Sequence, residues 1–420
     1  MYLINISFDP KGSILIGQTT NNNNINLTIK NILSFSLNDK CILYYTLWLI
    51  KNLCHEYTPN KMYFYNNQIF DFFEKISEKY EFEEEINKIL LSSIINISKN
   101  NIFTNSYIEY KKVIPFLIKQ LSFIENEKEV EKAFFILFKY SEIRENKIYD
   151  FFLSNNLHKK LIKIYKEIPL TKYSEEIKLK LKLYTIIILG NIASGDDVQT
   201  QILINNGIVD FINELLKESD LKILKNTIWI AESICSGSVG QIACLYEKNT
   251  IFYIIQIGII IYENIIKPNN DKIKNILLLQ TFKSVIRVIC LSITQSLNNE
   301  VISVLNYENH VCLSLLVFAI KNYKNDFDFI LLIFQSFHTI KLIEEIIPDS
   351  VYLNNDFSYF SFMINNGLGK EIENLCNCPN DNVSREAEYF YHTIILGDDD
   401  PDNVLRNSFS VDMDDNNESN

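Results

Sequence analysis

Glycine and proline are scarce in this chain, 11 and 8 among 420 residues. That shortage excludes architectures built on many tight turns, such as sandwiches and barrels. The sequence contains no glycine-rich phosphate loop, no nucleophile elbow and no histidine pair with metal-ligand spacing; His158, His310, His338 and His392 are scattered. Neither catalysis nor a cofactor is therefore expected. The eight cysteines are dispersed. Cys376 and Cys378 stand close, but no second pair of suitable spacing completes a zinc site, and Cys54-His55 is equally alone. They read as buried, reduced thiols.

Positive charge is also short. Lys and Arg number 40 against 52 Asp and Glu, a formal charge of −12, which makes nucleic acid a poor partner and a basic protein or peptide a better one. The greasiest run, "IFYIIQIGIIIYENII" at 251–266, has 16 residues with Gln256 and Glu263 inside it. A membrane span needs roughly 20, so the run reads as a buried helix. The start, "MYLINISFDPKGS", lacks the charged opening and cleavage pattern of a signal peptide. The expectation is a soluble, intracellular protein with no membrane partner.

What is present is helical periodicity. Segments 112–124, 129–143, 208–219 and 367–377 place apolar residues at i, i+3, i+4 and i+7, joined by short polar links such as "ESD" and "CPNDN". Strands and helices do not alternate, so the fold class expected is all-α. Worn repeats run through it. "YTLWLIKNLCHEY", "LLSSIINISKNN", "AFFILFKYSEI", "TIIILGNIASGDD" and "NTIWIAESICSGS" align the pairs Trp48/Asn52, Ser92/Asn96, Phe135/Lys139, Ile187/Asn191 and Trp229/Ser233. The second members step by 44, 43, 52 and 42 residues, the period of armadillo or HEAT helical repeats. The long step holds "EIPLTKYSEEI", read as a lengthened loop. A solenoid over residues 1–396 and an acidic, disordered tail over 397–420 ("GDDDPDN…VDMDDNNESN") are expected.

The stretch "LGNIASGDDVQTQ", Leu189 to Gln201, reads as a helix corner. Gly195 ends one helix in the left-handed conformation; Asp196 caps the next, with Gln199 closing a capping box. Trp48 and Trp229 each precede a small polar residue by one helical turn, which puts both members of a pair on one face. Stacked repeats would line up such pairs. Amides can grip an extended peptide while indoles flank the stems and heads of its lysines and arginines.

These residues carry a resemblance. "GNIASGDDVQTQILINNGIVDFINELL" followed by "NTIWIAESICSGSVGQIACLYE" resembles importin α, the armadillo-repeat adaptor that binds nuclear localisation signals. The likeness is most specific over 189–247, continues in register from about residue 40, and includes "FMINNGLGKEIENLCNCPNDNVSREAEYFYHTIIL" before the acidic tail. It implies a right-handed armadillo-repeat superhelix with two grooves for basic peptides, and an adaptor shuttling between cytoplasm and nucleus. In the minor groove it implies peptide-binding roles for Asn191, for Gly195, Asp197 and Thr200 around a lysine ammonium, and for Trp229 and Ser233. Ser233 replaces the family's asparagine, and Ile187 stands where the family has arginine.

In the major groove the resemblance implies roles for Trp48, Asn52, Glu56 and Asn96. There Ser92 replaces a tryptophan, and Phe135 and Lys139 replace a Trp and a Tyr, so Lys139 sets like charge beside a basic ligand. A further pair, Val288 and Ser292, fits the register only with a long loop at "KPNNDKIKN". The family's basic, arginine-rich segment, which recruits importin β, has no counterpart here, and Asn5 in "LINIS" falls where a ladder helix would finish. Importin β is thus a doubtful partner; an export receptor is a further one. The alternatives are an armadillo scaffold that has lost signal binding and a helical-repeat component of a pore or coat.

Overall fold

A computed structural model describes residues 24–55, 58–66, 68–80, 83–98, 110–121, 127–267, 271–346 and 357–397. The expected tail beyond Gly397, Asn5 and Glu56 lie outside the described residues. Among those described, every regular element is a helix and there is no strand. They divide into two compact units, one ending at Asn206 and one beginning at Gly207.

The first unit runs α1 (Asn24–Ser36), α2 (Lys40–Leu53), α3 (Thr58–Asn66), α4 (Ile69–Lys79), α5 (Glu84–Ser98), α6 (Tyr110–Gln120), α7 (Glu127–Ser141), α8 (Asn146–Ser154), α9 (Leu157–Glu167), α10 (Glu175–Ala193) and α11 (Asp197–Asn205). The repeating unit is a pair of shorter helices followed by a long one, as in α3–α4–α5 and α8–α9–α10. The long helices stack in order: α5 on α2, α7 on α5, α10 on α7. They do so because each is apolar over most of its circumference. In α10 the buried side includes Ile177, Leu181, Ile186, Ile188, Leu189 and Ile192, and full burial of each such side chain contributes about 1.5–3 kcal/mol.

The second unit repeats the plan with α12 (Ile208–Leu215), α13 (Leu221–Cys235), α14 (Val239–Glu247), α15 (Thr250–Ile266), α16 (Lys272–Gln295), α17 (Asn298–Leu305), α18 (Val311–Tyr323), α19 (Phe327–Ile346), α20 (Tyr359–Asn365), α21 (Leu368–Cys376) and α22 (Asp381–Phe390). Here α16 stacks on α13, α19 on α16 and α22 on α19. Each unit is an armadillo-type stack, so the expected all-α repeat fold is what forms.

A stereochemical mark recurs at the corner before each second helix. Gln68, Asn156, Gly207, Asn249, His310 and Gly367 all have φ between 55° and 98°. Glycine and asparagine tolerate this left-handed backbone best, which explains "INNGIVDF" and "INNGLGKE". At His310 the ring compensates, with Nδ1 2.8 Å from the Leu305 carbonyl and the imidazole stacked on Phe357 at 4.3 Å.

The run at 251–266 forms α15 and is buried on one side only. Ile251, Ile254, Ile255 and Ile261 are covered, while Tyr253, Ile260 and Ile266 are exposed. By length and composition α16 could cross a membrane; 56% of its apolar stretch is buried, and α13, α15 and α19 pack against it. Of the cysteines, Cys54, Cys235, Cys290 and Cys312 are buried, Cys41 is exposed and the others are half-buried; all are free thiols.

Candidate peptide-binding faces

Several long helices, α2, α7, α13 and α16 among them, each keep a half-buried outer stripe, and the aligned pairs Trp48/Asn52, Phe135/Lys139 and Trp229/Ser233 fall on it. By contrast α5 is buried from Ile89 to Ser98, Ser92 and Asn96 included, and Asn191 of α10 is buried as well. In α13, Asp220 caps the start by accepting from the amides of Lys222 and Ile223. Ile223, Leu224, Thr227, Ile228, Ala231 and Ile234 then turn inward. That phase leaves Lys225, Trp229, Glu232 and Ser233 half-buried on the outer side. Ser233 Oγ donates back to the Trp229 carbonyl at 3.0 Å, and Glu232 Oε1 accepts from Arg287 Nε of α16 at 2.6 Å. This ion pair, one turn from Trp229, had no signal in the sequence because its members lie 55 residues apart. The forced pair Val288 and Ser292 is fully buried; the outer side of α16 carries Lys283, Ser284 and Arg287 instead.

In the first unit, α2 presents Trp48 and Asn52, both half-buried. Trp48 stacks on Tyr45 (6.2 Å, 16°) and meets Tyr44 edge-on at 6.0 Å. Asn96 is buried, and its Nδ2 donates to the Lys51 carbonyl at 2.9 Å. Ser92 donates to Glu129 Oε1 at 3.0 Å. Asn191 is 5% exposed, with Nδ2 donating to Ser141 Oγ at 2.8 Å. Ser141 in turn accepts at its carbonyl from the Tyr149 phenol, 3.0 Å away. Burial lifts that phenol to about 12, with Arg144 opposing, so it stays a donor. The amides of Asn96 and Asn191 thus both reach back to the preceding long helix.

The corner between α10 and α11 forms the expected capping box. Asp196 Oδ1 accepts from Gln199 N at 2.9 Å and Gln199 Oε1 accepts from Asp196 N at 3.1 Å. Gly195 does not adopt the left-handed conformation expected of it: the positive-φ glycines described are Gly207, Gly367 and Gly397. It is glycine for want of room. A Cβ there would lie 2.0 Å from Gln199 Oε1 and 3.1 Å from Tyr149 Cδ2. Gln199, fully buried, also donates to the Asn146 carbonyl and to Asp150 Oδ1 at 3.0 and 2.8 Å, clamping α11 to α8.

Of the supposed lysine seat, Gly195 and Asp197 are exposed. Thr200 is 3% exposed, and its hydroxyl donates to the Ala193 and Asp196 carbonyls at 2.9 and 3.1 Å. The corner before α14 is built alike. A Cβ on Gly237 would lie 2.0 Å from Gln241 Oε1, which accepts from Ser238 N at 3.2 Å. Among the described residues, no group of three or more His, Cys, Asp or Glu side chains is placed to hold a metal ion.

No protein-family model matches the sequence, and no curated protein matches it. Solved structures do. An engineered protein superimposes with a TM-score of 0.58 at 12% identity, over 91% of this chain and 82% of its own; that likeness bears on the fold alone. A designed armadillo repeat protein is similar at a TM-score of 0.47 and 18% identity over 67% of this chain and 99% of its own. Another designed armadillo repeat protein, in complex with the peptide (KR)4, is similar at 0.47 and 18% over 65% and 95%.

Proposed function

We propose that this chain is a peptide-binding repeat scaffold whose ligands are lysine- and arginine-rich segments of the nuclear-localisation-signal type, and that it serves as a nuclear import adaptor. The observation that carries the proposal is the state of the two tryptophans. Core packing alone would bury them; instead Trp48 and Trp229 are each only half-buried, on the outer side of a long helix and four residues before a small polar side chain. An indole in that setting flanks a cationic side chain. Asp197, exposed at the start of α11, supplies a carboxylate for an ammonium, and the net charge of −12 favours basic ligands. Shuttling between cytoplasm and nucleus, with importin β and an export receptor as further partners, belongs to the same proposal.

One observation favours the alternative of a scaffold that has lost signal binding: Asn96, Asn191 and Thr200 direct their side chains into packing. A titration separates the two. A lysine-rich localisation-signal peptide is added to the full chain, with tryptophan fluorescence and calorimetry as readouts, and Trp48→Phe and Trp229→Phe assign the signal to a face. Saturable binding that weakens with salt is expected. Absence of both heat and fluorescence change would leave the scaffold without its proposed ligand.

A further inference from the structure

The outer stripe of α7 carries Phe135 and Lys139 where α2 carries Trp48 and Asn52. The lysine folds back onto the protein. Its Nζ lies 5.5 Å from the ring centroid of Phe135, 5.1 Å from that of Phe138 and 2.6 Å from Glu142 Oε2. Its side chain is 23% exposed, against 41% for Glu142. Tyr184, reaching across from α10, completes the aromatic wall at 5.3 Å from Phe138 and 6.2 Å from Phe135. Ring faces with a carboxylate beside them are what a peptide's lysine or arginine head would seek. At α7 that arrangement holds a cation belonging to the protein itself.

On the premise that this face binds basic peptides, we infer that Lys139 is a tethered occupant of a cation seat formed by Phe135, Phe138 and Glu142, and so sets ligand specificity. A peptide lying along the first unit then finds no place for a basic side chain at α7. Tethering makes the block effective, because an attached group acts at an effective concentration on the order of millimolar. A ligand present at micromolar concentration does not displace it. The class of peptide accepted has its basic residues interrupted opposite α7 by a neutral or acidic one.

Two measurements test this on the full chain. In the first, lysines are reductively methylated with 13C and the Lys139 signal is assigned with Lys139→Arg. Ring currents displace it upfield, and Phe138→Leu returns it toward the other lysines. A Lys139 signal at the position of solvent-exposed lysines overturns the inference, whether or not any peptide binds. In the second, an octapeptide of alternating lysine and arginine is titrated into the wild type and Lys139→Met. Emptying the seat tightens binding about three- to tenfold, and adding Glu142→Gln removes most of that gain. A wild type that binds while Lys139→Met binds no tighter, or a gain that survives Glu142→Gln intact, overturns the inference. If neither protein binds the octapeptide, the peptide-binding proposal is what has failed, and the methyl signal alone decides whether the seat is filled.

Discussion

The corner at Gly195 and the corner at Gly237 are the same construction with different trimmings. Both need a glycine under a glutamine carboxamide, and both place that carboxamide on the amide of the residue after the glycine. Where the first has Asp196, Asp197 and Thr200, the second has Ser238, Val239 and Ile242. The turn is therefore made by the glycine and the glutamine, together with a residue that can cap. Asp197 takes no part in that capping box, and an exposed carboxylate at the corner is a better functional candidate than the residues that build it.

The largest expected effect comes from removing what the two corners share. Gln199→Ala loses hydrogen bonds to Asp196, Asn146 and Asp150 in a fully buried place and destabilises by about 2–3 kcal/mol; Gln241→Ala costs about 1–2 kcal/mol. Urea-denaturation midpoints measure both, and losses under about 0.5 kcal/mol at each would show that the glutamines are incidental. Next comes the residue that differs. Asp197→Lys lowers affinity for a lysine-rich peptide at least about tenfold, or about 1.4 kcal/mol. Stability falls by no more than about 1 kcal/mol, the value of an acidic side chain at a helix N-terminus. Equal affinities in calorimetry would remove Asp197 from the site. The smallest effect sharpens the comparison from the other side. Val239→Asp places a carboxylate in the same position of the second corner, where Val239 is 45% exposed, and stabilises α14 by about 0.3–1 kcal/mol. A fall in the thermal midpoint would mean that Val239 packs more tightly than its exposure indicates.

Periodicity made the helices and the register of the long ones legible, because an apolar face repeats whether or not its partner is known. The capping box was legible for a similar reason: Asp196 and Gln199 are three residues apart and the geometry is local. Gly195 was misread because a glycine in a sequence does not say whether it answers a positive φ or a crowded neighbour. Here the crowding comes from Gln199 and from Tyr149, which lies 46 residues earlier in the chain. The direction of the Asn96 and Asn191 amides was hidden likewise. Asn191 bonds to Ser141 and Asn96 to Lys51 across neighbouring helices, contacts that one helix's sequence does not display. Lys139 was visible as a misplaced charge, but not the rings and carboxylate that receive it.

The backward-reaching amides also bear on how the first unit would answer a pull. A stack of repeats stretched from its ends carries the load in series, so each repeat can yield on its own and release roughly 40 residues of slack, about 140 Å of contour. Asn96 on the Lys51 carbonyl and Asn191 on the Ser141 hydroxyl cross two of the seams between long helices like clasps. With Ser92 on Glu129 Oε1 across the seam between them, three successive seams are each held by a side-chain hydrogen bond that a pull has to break before a repeat can part.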